Sequence, residues 1–160
     1  MPQYRLQTLY EIKERKEKEA KDAFAAAQAA LRQQEKLLED MKAELERMIQ
    51  DRHRRREEYS QKLASGEMKI TDQSAAYRFI ERLKEKEKEQ ELKIEAQKEQ
   101  VRAAEKDVKR AQDAFIVATQ DLKALQKHKE KWLADWKKEM AIKEEDVMDE
   151  VGQVIFNAKR

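Results

Sequence analysis

Ser65-Gly66-Glu67-Met68-Lys69-Ile70-Thr71-Asp72 is the stretch on which the reading of this chain turns. Gly66 suits the left-handed position just after a helix C-terminus, because it has no Cβ to clash there. Thr71 or Asp72 can cap a following helix by accepting backbone N–H bonds. On either side the alphabet is Ala, Glu, Lys, Leu, Gln and Arg, the strong helix formers. The break therefore predicts a first helix over about residues 3–64, a turn over about 65–71 and a second helix over about 72–157. Gly152 lies near the end of the second helix, where fraying is expected.

Each flank of the turn carries a seam whose members are alternately three and four residues apart. In the first it runs Leu6, Tyr10, Lys13, Glu17, Ala20, Phe24, Ala27, Leu31, Gln34, Leu38, Met41, Leu45, Met48, Arg52, Arg55, Tyr59. In the second it runs Ala76, Ile80, Leu83, Glu87, Gln90, Ile94, Gln97, Val101, Ala104, Val108, Ala111, Phe115, Ala118, Leu122, Leu125, Lys129, Trp132. A mean spacing of about 3.5 keeps one stripe facing a partner helix as both supercoil. Folding the chain at the turn pairs seam positions whose numbers sum to about 135, and large residues then face small ones: Phe24 with Ala111, Leu31 with Ala104. The expected fold is all-α, a long antiparallel two-helix coiled coil (an α-hairpin) forming one elongated domain over residues 1–160; a parallel dimer is the competing arrangement. Polar seam members such as Gln34, Gln97 and Glu87 cost stability but help fix register. The seam is expected to be most secure between Ala20 and Met48 and looser near the turn. Helix two is the longer, so residues after Leu133 lack a partner and overhang by about 40 Å.

Composition supports the same picture. Charged residues make up 44% of the 160, with only 2 Gly and 1 Pro, and aromatic residues are 6%. That is too few large apolar groups for a sizeable spherical core, and enough for a narrow seam. The 36 basic and 34 acidic residues leave a net charge of +2, which gives no general bias toward nucleic acid or membrane. Cysteine is absent, which excludes disulfides and thiolate metal sites. No run has the length of a membrane span, and Met1 to Leu6 lacks the apolar core of a signal peptide. A soluble cytoplasmic protein is expected.

The candidate sites are surfaces rather than reaction centres. His53 and His128 fall far apart in the hairpin and begin no metal-ligand pair; no phosphate-binding glycine loop occurs. No catalytic, cofactor or metal site is expected. The basic run Arg52, Arg54, Arg55, Arg56 is either a patch for an acidic partner or a solvated face answered by Asp51 to Arg55 and Arg54 to Glu58. No stacking aromatics interleave with it, which disfavours nucleic acid. Beside the turn, Tyr77, Phe79, Ile80 and Leu83 spread over more than one face of helix two: either a partner surface or packing around the loop. The overhang carries Trp136, Met140, Val147, Val151 and Ile155 on one stripe, open to a helix-binding partner, a second copy or fraying.

Two segments carry a resemblance. Tyr4-Arg-Leu-Gln-Thr-Leu-Tyr-Glu-Ile-Lys-Glu-Arg resembles the opening of the type III secretion stalk proteins, the YscO/FliJ-like family. His128-Lys-Glu-Lys-Trp132 followed by Asp149-Glu-Val-Gly-Gln153 is similar to the tail of its injectisome branch. The resemblance implies a monomeric, non-enzymatic virulence-system protein, cytoplasmic and peripheral to the inner-membrane export apparatus. It implies as partners a hexameric secretion ATPase, the export gate's cytoplasmic domain and export chaperones, with no nucleic acid and no membrane insertion. Trp132, Trp136, Met140 and Val147 become ATPase-contact candidates, and Tyr77, Phe79, Ile80 and Leu83 gate-contact candidates. A generic coiled-coil tether and a nucleic-acid-binding coiled coil are the alternatives.

Overall fold

The computed structural model describes residues 2–159 and consists of two α-helices, α1 over Gln7–Ala64 and α2 over Ile70–Ala158. They are 58 and 89 residues long and form an all-α hairpin.

The turn is built by backbone bonds at both helix ends. Glu67 N–H donates to the Lys62 carbonyl at 3.1 Å and Gly66 N–H to the Leu63 carbonyl at 3.3 Å. This is the Schellman pattern, which satisfies carbonyls the helix itself leaves open. It requires a left-handed residue, and Gly66 supplies it with φ +79°. α2 begins at Ile70, two residues earlier than the capping residues suggest. Lys69 takes the cap position, and Asp72 works from inside the first turn, its Oδ2 accepting the Lys69 N–H at 3.3 Å. That is the reach-back half of a capping box. α1 also starts later than expected, because the Tyr4 carbonyl accepts the Gln7 N–H at 3.1 Å and closes a turn ahead of the helix. Gly152 is helical, within α2.

The chain divides into two units, Ala23–Ala111 and Met1–Asp22 with Gln112–Arg160. The first contains the turn. Ile80, Ile94, Val101 and Ala104 are buried there together with Glu87 and Gln97, and all six lie on α2. Facing them on α1, seam residues from Phe24 to Tyr59 are half-buried. Burial reaches closer to the turn than the polar seam members suggest, as Ile80 at 8% exposure shows. In the second unit, half-buried Leu6 ahead of α1 and Tyr10, Lys13, Glu17 and Ala20 on α1 accompany Phe115, Ala118, Leu122, Leu125, Lys129 and Trp132 on α2.

Every seam position predicted from the spacing is buried or half-buried. Polar contacts between the helices fix the register independently. Gln97 Nε2 donates to the Gln34 carbonyl at 3.0 Å and to Gln34 Oε1 at 2.7 Å, and Gln90 Nε2 donates to the Met41 carbonyl at 3.1 Å. Arg52 Nε lies 2.9 Å from both Glu87 carboxylate oxygens, and in the other unit Lys13 Nζ is 3.2 Å from Asp121. Paired numbers sum to between 131 (Gln34 with Gln97) and 139 (Arg52 with Glu87), which brackets the expected 135.

A Cβ at Gly66 would meet nothing within 4 Å, so substitution there strains the backbone without a clash. Gly66→Ala is expected to cost about 1 kcal/mol and Gly66→Asn clearly less, read by urea unfolding. Equal stability of all three proteins would mean the turn does not depend on the left-handed residue.

Candidate interaction surfaces

At about 100° per residue, Met140, Val147, Val151 and Ile155 lie on one face of α2, and Met148 and Val154 border it. Residues 141–159 are all exposed; Val147 is 56% accessible. The ends of the predicted stripe differ from this. Trp136 and Met140 are half-buried, and Trp132 is part of a packed cluster with the N-terminal segment. Glu144 breaks the stripe, and Glu145, Asp146 and Asp149 lie behind it. Met140, Lys143, Glu144, Val147 and Met148 share a shallow groove.

At the turn, the four residues singled out from the sequence have different environments. Tyr77 is 67% exposed, Phe79 and Leu83 are half-buried, and Ile80 is buried in the seam. The Phe79 ring has the Arg55 guanidinium 5.1 Å from its centroid and that of Arg82 5.9 Å away, within cation–π range. A groove of about 200 Å³ opens beside them, lined by Tyr59, Leu63, Met68 and Ala76 and by Arg56, Glu81 and Lys84, the last two paired at 3.3 Å. Leu63 and Met68 are functional candidates that periodicity misses, because they belong to the turn rather than to a seam.

The basic run splits by face. Arg52 points into the seam and pairs with Glu87; the side chains are 15% and 9% exposed. Arg55 pairs with Asp51 at 3.0 Å as expected, but Arg54 also turns to Asp51, at 2.5 Å, instead of reaching Glu58. One carboxylate thus answers two guanidiniums from one helical turn. Arg56 is exposed and reaches the turn groove. The four arginines do not form one continuous patch.

A cluster around Tyr4 was not foreseen. Tyr4 is 6% exposed, its hydroxyl lies 2.5 Å from His128 Nδ1 in a hydrogen bond, and its ring is tilted against Trp132 with centroids 5.1 Å apart. Lys129 Nζ sits 4.8 Å from the centroid of the Tyr10 ring and donates to Gln7 Oε1 at 3.0 Å. The register already held the signal. A partner sum near 135 takes Tyr4 to residues 131 and 132, one layer beyond the seam's apparent end.

Among the described residues no group of three His, Asp or Glu side chains is placed to hold a metal ion. Among the described residues no helix is long and apolar enough to cross a membrane.

The family model described as YscO-like protein matches residues 1–160. Among solved structures the chain is similar to that of a proposed YscO homolog, CT670, from Chlamydia trachomatis. The TM-score is 0.80 at 23% identity, over 98% of this chain and 96% of that one. At that identity the likeness speaks for the fold. No curated protein matches.

Two predictions concern the groups these surfaces lean on. Tyr4→Ala, made in a Trp136→Phe background, is expected to shift Trp132 emission to the red and to raise proteolysis at Arg5, at a cost of about 3 kcal/mol. Tyr4→Phe, which keeps the ring, should leave the emission in place; identical spectra for all three would mean Tyr4 does not cover Trp132. Glu87→Ala strands the Arg52 charge in the seam and is expected to cost about 3 kcal/mol by urea unfolding. Arg52→Met with Glu87→Leu should recover most of that loss; a double variant worse than the single one would contradict it.

Proposed function

Because the chain belongs to the YscO-like protein family over residues 1–160, we propose that it serves as a non-enzymatic stalk in a bacterial type III protein secretion apparatus. The observation that carries this reading is the far end of α2. From Ala141 onward the helix continues with its whole surface exposed, Val147, Val151 and Ile155 included. An apolar helical stripe without cover in its own chain is what a docking element presents to a partner. In this reading the stripe engages the hexameric secretion ATPase through Met140 and Val147, with Trp136 at its inner edge. Trp132 supports it from behind by holding Tyr4.

The turn end is the proposed contact for the export gate. Tyr77 and Phe79 provide the surface there, and Leu83 and buried Ile80 set the position of their helix. Export chaperones are the third partner class, and the protein's place is the cytoplasmic side of the inner-membrane export apparatus.

The test uses the purified secretion ATPase from the same cell, with the full chain and a version ending at Lys138. That cut removes Met140 through Ile155 and spares Trp132 on Tyr4. The full chain is expected to bind the ATPase, and the truncated chain at least about tenfold more weakly. Equal binding would move the site off the tail. No binding by either chain would remove the ATPase from the proposal and favour a tether without one.

A further inference from the structure

The structure itself sets the bounds of an uncovered helical segment. Met140 is the last half-buried residue, everything after it is exposed, and α2 ends at Ala158. Over residues 141–158 the helix has only its own propensity and solvated charge to hold it.

That propensity is low. Five of these residues are β-branched, namely Ile142, Val147, Val151, Val154 and Ile155. Two Asp, one Asn, one Phe and one Gly bring the members of the weaker part of the helix scale to ten of 18. Adding one good helix former multiplies the helical population by only about 1 to 1.6. A β-branched residue, Asp or Asn lowers that factor about two- to threefold relative to alanine, and glycine about fivefold. The product over the segment is well below one. Like charges act in the same direction, because Glu145 with Asp149, and Asp146 with Glu150, stand four apart and repel. Gly152 is not left-handed, and a Cβ there would meet nothing within 4 Å. Neither a turn nor a close approach requires glycine at that position, so its effect is on helix stability.

Burial reverses this balance. In the hairpin, Ile94 and Val101 are β-branched too, and they are 6% and 8% exposed in the seam. Packing of an apolar face is what holds most protein helices. Val147, Val151 and Ile155 recur every four residues, so covering that stripe would supply what propensity lacks.

We propose that residues 141–158 are a conditional helix: in the free protein they exchange between helix and coil while the hairpin stays folded, and they become persistently helical when a partner covers the stripe. The continuous α2 is the ordered member of that pair. Because the stripe exists only in the helical form, affinity for the partner scales with the fraction of the tail that is helical. The helix–coil balance thereby sets how tightly the protein is held and how readily it is released. The inference rests on the stalk reading only for the identity of the partner, the secretion ATPase.

Hydrogen exchange of the full chain, read by mass spectrometry, tests it. Amides of residues 145–158 are expected to exchange within about tenfold of the coil rate, and those from Ile94 to Ala104 at least about a hundredfold more slowly than the tail. Gly152→Ala should slow tail exchange about two- to fivefold and leave the hairpin unchanged. Gly152→Pro, which breaks the helix, should bring the tail to the coil rate. Purified ATPase is expected to protect the wild-type tail and to bind the Gly152→Ala chain about two- to fivefold more tightly than wild type. A free tail as protected as the hairpin, or tail exchange unmoved by Gly152→Ala, would overturn the proposal. So would equal affinity of wild type and Gly152→Ala for an ATPase that binds both. An ATPase that binds none of the three chains would remove it as the partner, while the exchange rates still decide for or against the conditional helix.

Discussion

Two helices packed only on each other share a line of contact, not an interior, and everything else in this structure follows from that restriction. No side chain among the described residues is wholly enclosed, and apart from Tyr4 the buried residues are a single file along α2. Each layer has one chance to be filled, so register matters more here than in a multilayered core. A slide of one layer would still leave apolar residues facing apolar residues. It would also take Glu87 away from Arg52, and Gln97 away from the Gln34 carbonyl and side chain. A polar group left in the seam without its partner costs more than a paired one contributes. The polar layers therefore discriminate between registers, at some expense in stability.

That division of labour explains why the ends look as they do. Apolar residues inside the hairpin meet other apolar residues, whereas those past the last layer have no counterpart in α1. At the N-terminal side the chain continues briefly beyond α1, and Tyr4 uses that extension to cover Trp132. The aromatic pair ends the packed region of its unit. Beyond it α2 continues on helix propensity and solvated charge, with an apolar stripe exposed.

Much of this was legible in the sequence because the hydrophobic period and the break are both strong. The spacing identified each seam residue, and Gly66 fixed the turn. The exceptions have physical causes. Asp72 was assigned the cap itself because capping residues are recognised by type, and a carboxylate acting from N3 has the same composition. Arg54 was paired with Glu58 on spacing alone, but Asp51 was equally near along the helix, and rotamer choice decides between neighbours of equal reach. Tyr4 was missed because the seam was read only within helix, whereas its ring enters the next layer from a turn. The environments of Tyr77, Phe79, Ile80 and Leu83 depend on where α1 stops and how Arg55 and Arg82 lie, and no periodicity reports that.

The distribution of charge adds a last constraint. Elsewhere along both helices acidic residues alternate with basic ones, and neighbours such as Glu95 with Lys98 or Asp107 with Arg110 pair along the surface. The Lys98 ammonium beside Glu95 holds that carboxyl below its ordinary range. From Glu144 to Glu150 the alternation stops, and five carboxylates share seven positions with Val147 and Met148. Each like pair four residues apart costs about 0.2–0.5 kcal/mol in a free helix, and the exposed stripe gains nothing from water. A lysine at Asp149 or Glu150 would remove much of the repulsion without touching the seam. For the free helix, then, the segment is less favourable than a simple change would make it. Both costs would be relieved together by an apolar surface edged with positive charge.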